Sequence, residues 1–100
     1  MNDKIYTLNE IQSAVEPIAK QFGLERIYLF GSYARGEATA SSDIDFRVDK
    51  GNIKGFFVFA ALYNALADAF DKPVDVVTTH DLDREFLAEI ADEEVLLYAG

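Results

Sequence analysis

The sequence predicts an α+β protein: a small β-sheet with helices packed on one face and an open, polar face opposite. Two patterns lead there. Stretches whose apolar residues recur at three- and four-residue steps are interleaved with short runs of β-branched and aromatic residues. Within one such run, residues 43–49, polar and apolar residues alternate strictly. A strand there puts Asp43, Asp45, Arg47 and Asp49 on one face and Ile44, Phe46 and Val48 on the other. One hundred residues are enough for a single domain spanning 1–100, and half of them are hydrophobic, so the chain is expected to fold.

Thr7 and Glu10 form a capping box that opens a helix, with Leu8, Ile11, Val15, Ile18, Ala19 and Phe22 on its apolar stripe. Gly23 is a natural stop, and Pro17 is expected to kink this helix or divide it. Residues 25–30 read as a strand, 31–36 as a turn with a short helical segment starting at Ser32, and 37–42 as a polar loop. The second strand covers 43–49 and stops at Gly51-Asn52.

The longest helix is expected over 54–70, with Phe56, Phe59, Tyr63, Leu66 and Phe70 as its stripe. Phe57, Val58, Ala61 and Leu62 make its first half apolar nearly all round, so it wants burial on two sides. The second cover is either the first helix or another chain, and a homo-oligomer or partner contact through 54–70 is one expectation. A strand over 74–78 follows the turn at Pro73. Residues 83–92 read as a helix with Phe86, Leu87 and Ile90 inward, and 95–98 as an edge strand or the end of that helix. Seven acids and one base fall between Asp81 and Glu94, which reads as a solvated face.

Composition narrows the function. Eighteen acids against nine bases give a formal net charge of −9, and no basic run exists, so direct nucleic-acid binding is not expected. The acidity suits a basic protein partner or simple solubility. With no cysteine, disulfides, thiolate zinc sites and cysteine nucleophiles are excluded. The N-terminus lacks a continuous apolar stretch of the signal-peptide type, and the run from Phe56 to Tyr63 is too short to span a bilayer. A soluble, cytoplasmic protein without a membrane association is the expectation.

The chemistry concentrates in residues 27–49, IYLFGSYARGEATASSDIDFRVD. An apolar run ends at Gly31-Ser32, a turn suited to holding an anion on backbone N–H groups. After ten intervening residues, Asp43 and Asp45 flank Ile44 and share a strand face, roughly 7 Å apart along the chain. Two such carboxylates repel unless a cation lies between them, and hard oxygen ligands suit Mg²⁺. A metal site beside an anion site suggests a metal-bound phosphate ester. Arg35 and Arg47 are candidates for phosphate or acceptor contacts, although Arg35 is equally suited to a salt bridge with a loop acid and Arg47 to balancing the aspartates. His80 reads as a turn residue.

The stretch from Gly31 to Asp49 resembles the signature of the minimal nucleotidyltransferases of the DNA polymerase beta superfamily. Phe30, Gly31, Ser32, Asp43, Ile44, Asp45 and Phe46 each fit it, and the order of helices and strands extends the resemblance over nearly the whole chain. The resemblance implies a mixed sheet of the nucleotidyltransferase fold. It implies that Asp43, Asp45 and Asp75 are the catalytic carboxylates and hold Mg²⁺, two ions in all, against the triphosphate of ATP. It also implies that Asp75 helps to accept a proton from the attacking hydroxyl. Gly31 and Ser32 would bind the phosphates, with Arg35 beside them.

Chains of this minimal kind resemble the antitoxin half of a two-protein system, a protein adenylyltransferase that transfers AMP to a tyrosine of an all-helical HEPN ribonuclease toxin. Transfer to a small hydroxylated molecule such as an aminoglycoside, and inhibition of a partner by binding alone, are the alternatives.

Overall fold

A computed structural model describes residues 3–100. Helix α1 (Leu8–Phe22) begins as its capping box requires: the Thr7 hydroxyl accepts from the Glu10 N–H at 3.1 Å, and the Glu10 carboxylate accepts from the Thr7 N–H at 2.9 Å. Such a cap contributes about 1 kcal/mol. The helix ends at Gly23, whose φ of 65° puts it in the left-handed region that glycine adopts freely. Pro17 does not divide α1, one of the two outcomes expected of it. The helix runs through it, because proline removes a single backbone donor while Ile11, Val15 and Ala19 remain fully buried along one side.

Strand β1 (Arg26–Phe30) leads into the one-turn helix α2 (Ser32–Arg35), and β2 (Ile44–Asp49) follows the polar loop. Helix α3 (Phe56–Phe70) connects β2 to β3 (Val74–Thr78). A short 3₁₀ turn (Thr79–Asp81), helix α4 (Arg84–Ala91) and β4 (Val95–Ala99) complete the chain. The strand order is β3–β2–β1–β4, so the last segment is an edge strand. β1 runs antiparallel to both β2 and β4, and β2 runs parallel to β3, the pairing that the α3 crossover makes possible.

One face of this mixed sheet carries the core. Ile27 and Leu29, Ile44, Phe46 and Val48, and Val74 and Val76 point to it, against Ile11, Val15 and Ala19 of α1 and Leu62, Leu66 and Phe70 of α3. Fully burying side chains of this size contributes about 1.5–3 kcal/mol each. The expected stripe of α3 is met in its later turns, where Leu66 and Phe70 are buried and Phe59 packs against the core, but Leu62 takes the place of Phe56 and Tyr63. Phe56 and Phe57 are 76% and 86% exposed, and Tyr63 is exposed as well. The helix starts at Phe56, so its first turn projects beyond the sheet that its later turns cover. No helix among the described residues is long and apolar enough to cross a membrane.

The opposite face carries Asp45, Arg47 and Asp49 from β2, with Tyr28 and Phe30 of β1 beside them. Helix α4 leans on one end of it: Asp83 caps the helix by accepting from the Phe86 N–H at 2.8 Å, and the Phe86 ring meets Phe30 edge-on at 5.8 Å.

Candidate active site

Gly31 sits where β1 turns into α2, with a φ of 77°. A Cβ built on Gly31 would overlap the Asp45 carboxylate, so any other residue here must displace that carboxylate and also hold a backbone conformation that favours glycine. The closeness follows from register, since Phe30 pairs with Asp45 across β1 and β2. Asp43 lies one residue before β2, not inside it, and is exposed. The loop leading to it is fixed from the β3 side: the Lys72 ammonium donates to the Ala40 carbonyl at 2.8 Å, and the Ile44 N–H donates to the Pro73 carbonyl at 3.2 Å.

An open cavity of about 520 Å³ lies at this corner, and Gly31, Ser32, Arg35, Asp43 and Asp45 all line it. Its far wall is α4 and the turn that follows, contributing Phe86, Ile90 and Glu93. Asp75 is the remaining expected carboxylate. It is exposed on edge strand β3 as the register partner of Asp45, and it stands outside this cavity lining. Partners in neighbouring strands lie about 4.8 Å apart. Among the described residues, no group of three His, Cys, Asp or Glu side chains is already disposed to hold an ion.

The carboxylates nevertheless act on one another. Burial, then the charges of Asp75 and Asp43, push the Asp45 carboxyl up to about 6. Oxygen donors crowded until one of them resists ionisation are the donor set that a hard divalent cation relieves, so the residues fit Mg²⁺ chemically.

The two arginines part company. Arg35 bridges Glu37 at 2.8 Å and Glu93 at 3.2 Å while remaining at the cavity wall. Arg47 is only 7% exposed and is used structurally. Its guanidinium donates to both Glu94 oxygens, at 3.0 and 2.7 Å, and to the Thr79 hydroxyl at 2.7 Å, and it lies 4.0 Å over the Tyr28 ring. It pairs with Glu94 and, at 3.7 Å, with Asp49 of its own face, rather than with Asp43 and Asp45. His80 is an exposed turn residue.

Sequence reasoning missed Glu93. The acidic run 81–94 is not a uniformly solvated face: Glu94 holds Arg47, and Glu93 accepts the Gly31 N–H at 2.6 Å across 62 residues of chain. Spacing along the chain carries no signal of that contact, because it depends on β4 pairing with β1.

A family model described as polymerase beta, nucleotidyltransferase, matches residues 12–100. A candidate protein adenylyltransferase of Methanocaldococcus jannaschii, MJ0435, is 35% identical over 88 residues, which cover 88% of this chain and 95% of that protein. The protein adenylyltransferase MntA of Thermococcus cleftensis is 36% identical over 80 residues, covering 76% and 81%. Among solved structures, a toxin–antitoxin crystal structure with AMP-PNP superposes with a TM-score of 0.76 at 25% identity, covering 89% of this chain and 73% of that one. The four-stranded mixed sheet with its helices is common to both.

Proposed function

Because the chain belongs to the polymerase beta nucleotidyltransferase family, we propose that it transfers AMP from ATP to a tyrosine of a HEPN-type ribonuclease toxin and so acts as the toxin's antitoxin. The observation that carries this reading is the grouping of Asp43, Asp45 and the Gly31-Ser32 turn around one open cavity, with Asp75 next to Asp45 in register. Relatives named protein adenylyltransferases, and the likeness to a toxin–antitoxin structure containing AMP-PNP, support the donor and the kind of acceptor.

In this reading Gly31 and Ser32 receive the β- and γ-phosphates through backbone N–H groups and the Ser32 hydroxyl, and Arg35 adds positive charge at the cavity wall. Asp43, Asp45 and Asp75 are the residues that would hold Mg²⁺, which when bound neutralises the attacking and leaving oxygens. The tyrosine oxygen attacks the α-phosphorus, an O–P bond forms, the bond to the β-phosphate oxygen breaks and pyrophosphate departs. Asp75, exposed on the edge strand, accepts the tyrosine proton and returns it to solvent. The acceptor reaches it from the open side of β3, where no strand follows.

The test is incubation with Mg²⁺, ATP labelled on the α-phosphate, and a co-purified helical partner. Label on a partner tyrosine is expected. Label on an aminoglycoside instead, or a tight complex without label, would overturn the proposal.

A further inference from the structure

The anion-binding face of the Gly31 turn already has an anion on it. The Glu93 carboxylate accepts the Gly31 N–H at 2.6 Å, and its two oxygens lie 3.3 and 3.2 Å from Arg35 Nη1. These are the donors assigned above to a phosphate. Glu93 also lines the cavity with Asp43, Asp45 and Glu89, where Arg35 is the one cationic side chain among the described residues of the lining. A polyanion entering that cavity meets Glu93 at its own binding groups.

We propose that Glu93 is an intramolecular stand-in for phosphate, which must release Gly31 and Arg35 before a triphosphate can bind; this rests on the triphosphate reading above. Glu93 thereby sets nucleotide affinity, and in the nucleotide-free protein it keeps the Gly31 N–H satisfied and the turn in its binding shape.

The surrounding structure lets the side chain move alone. Glu93 belongs to the turn between α4 and β4, whose backbone is held by the Glu93 and Glu94 N–H groups donating to the Ile90 carbonyl at 3.0 and 2.9 Å. The next residue, Glu94, is anchored by both of its oxygens on buried Arg47. The Glu93 side chain is 22% exposed, so rotation about its own bonds carries the carboxylate toward solvent without moving the strand. Arg35 keeps its second partner, Glu37, at 2.8 Å and stays in place when Glu93 leaves.

The experiment compares wild type, Glu93→Gln and Glu37→Gln by titration calorimetry with two probes, a non-hydrolysable ATP analogue with Mg²⁺ and inorganic tripolyphosphate. Glu93→Gln is expected to bind both about tenfold tighter, equivalent to about 1.4 kcal/mol, with Glu37→Gln unchanged. Equal or weaker binding by Glu93→Gln overturns the proposal and makes Glu93 a positioning residue for Gly31 and Arg35. An equal gain in Glu37→Gln also overturns it, because freeing Arg35 would then suffice. Tighter tripolyphosphate binding without any nucleotide binding retains the Glu93 assignment and removes ATP as the donor; no binding of either probe to any variant removes both. Should Glu93→Gln fold poorly, carbon-detected NMR of the wild type decides. The Glu93 carboxyl resonance and the Gly31 amide are expected to shift together on adding tripolyphosphate, and a Gly31 shift with Glu93 unmoved overturns the proposal.

Discussion

Asp45 and Asp75 are direct register partners across the parallel pair β2 and β3, two carboxylates on adjacent strands. Burial and this neighbour push Asp45 up to about 6 from an ordinary value of 3.8. A raised folded-state value penalises the ionised form. The penalty is absent below about pH 4, grows as pH rises, and is complete above about pH 6. In metal-free protein, Asp45→Asn is therefore expected to raise the melting temperature at pH 7.5 and to give no gain at pH 4. Equal gains at both pH values, in parallel thermal melts, would refute the assigned coupling.

Asp45, together with Asp43, should be indispensable for chemistry. Asp43→Asn and Asp45→Asn are each expected to lower AMP transfer by at least about a hundredfold, the scale on which lost charge stabilisation is felt in enzymes. The far-UV circular dichroism should be unchanged, since Asp43 is exposed and Asp45 contributes repulsion rather than packing. Wild-type rates in either variant would remove the aspartate from the reaction.

Gly31→Ala tests the close approach of the turn to β2. The left-handed backbone costs a non-glycine residue about 1–3 kcal/mol, and the new methyl also displaces the Asp45 carboxylate. A lowered melting temperature together with lost nucleotide binding is expected. A variant that melts lower yet binds nucleotide normally would show that Asp45 can move aside.

Glu94→Ala leaves the Arg47 guanidinium buried over Tyr28 without its carboxylate. Breaking one side of a buried pair costs about 3 kcal/mol or more, and chemical denaturation should show a loss of that order. A loss near zero would mean that Thr79 and Asp49 suffice to hold Arg47.

Phe57 is expected to behave in the opposite way. At 86% exposure its replacement by Asp should change stability by no more than about 0.5 kcal/mol. If the first turn of α3 is a contact surface for the partner or for a second copy, Phe57→Asp should dissociate that complex in light scattering. An unchanged complex would exclude Phe57 from the interface.

Much of the fold was legible because it rests on local physics. The Thr7–Glu10 capping box, the Gly23 stop and the alternation through Ile44, Phe46 and Val48 are written in short windows, and the structure contains each of them. The α3 stripe was read correctly at Phe59, Leu66 and Phe70 but not at Phe56 and Tyr63, because apolar residues surround the helix's first half and periodicity alone does not tell which side meets the sheet. Burial selects Leu62, Leu66 and Phe70 and leaves Phe56 and Phe57 outside. Pro17 does not divide the first helix, since one missing hydrogen bond does not outweigh a buried helix face.

The sequence by itself singled out the candidate segment: a Gly31-Ser32 turn followed, after ten intervening residues, by two aspartates flanking one apolar residue. Only the tertiary structure decided what surrounds that segment. Pairing of β2 with β3 sets Asp75 against Asp45, and pairing of β4 with β1 brings Glu93 to Gly31 and Glu94 to Arg47. Local windows encode periodicity and caps, whereas contacts such as the one across 62 residues from Gly31 to Glu93 exist only once strand order and register are fixed, and those are set by burying one shared core.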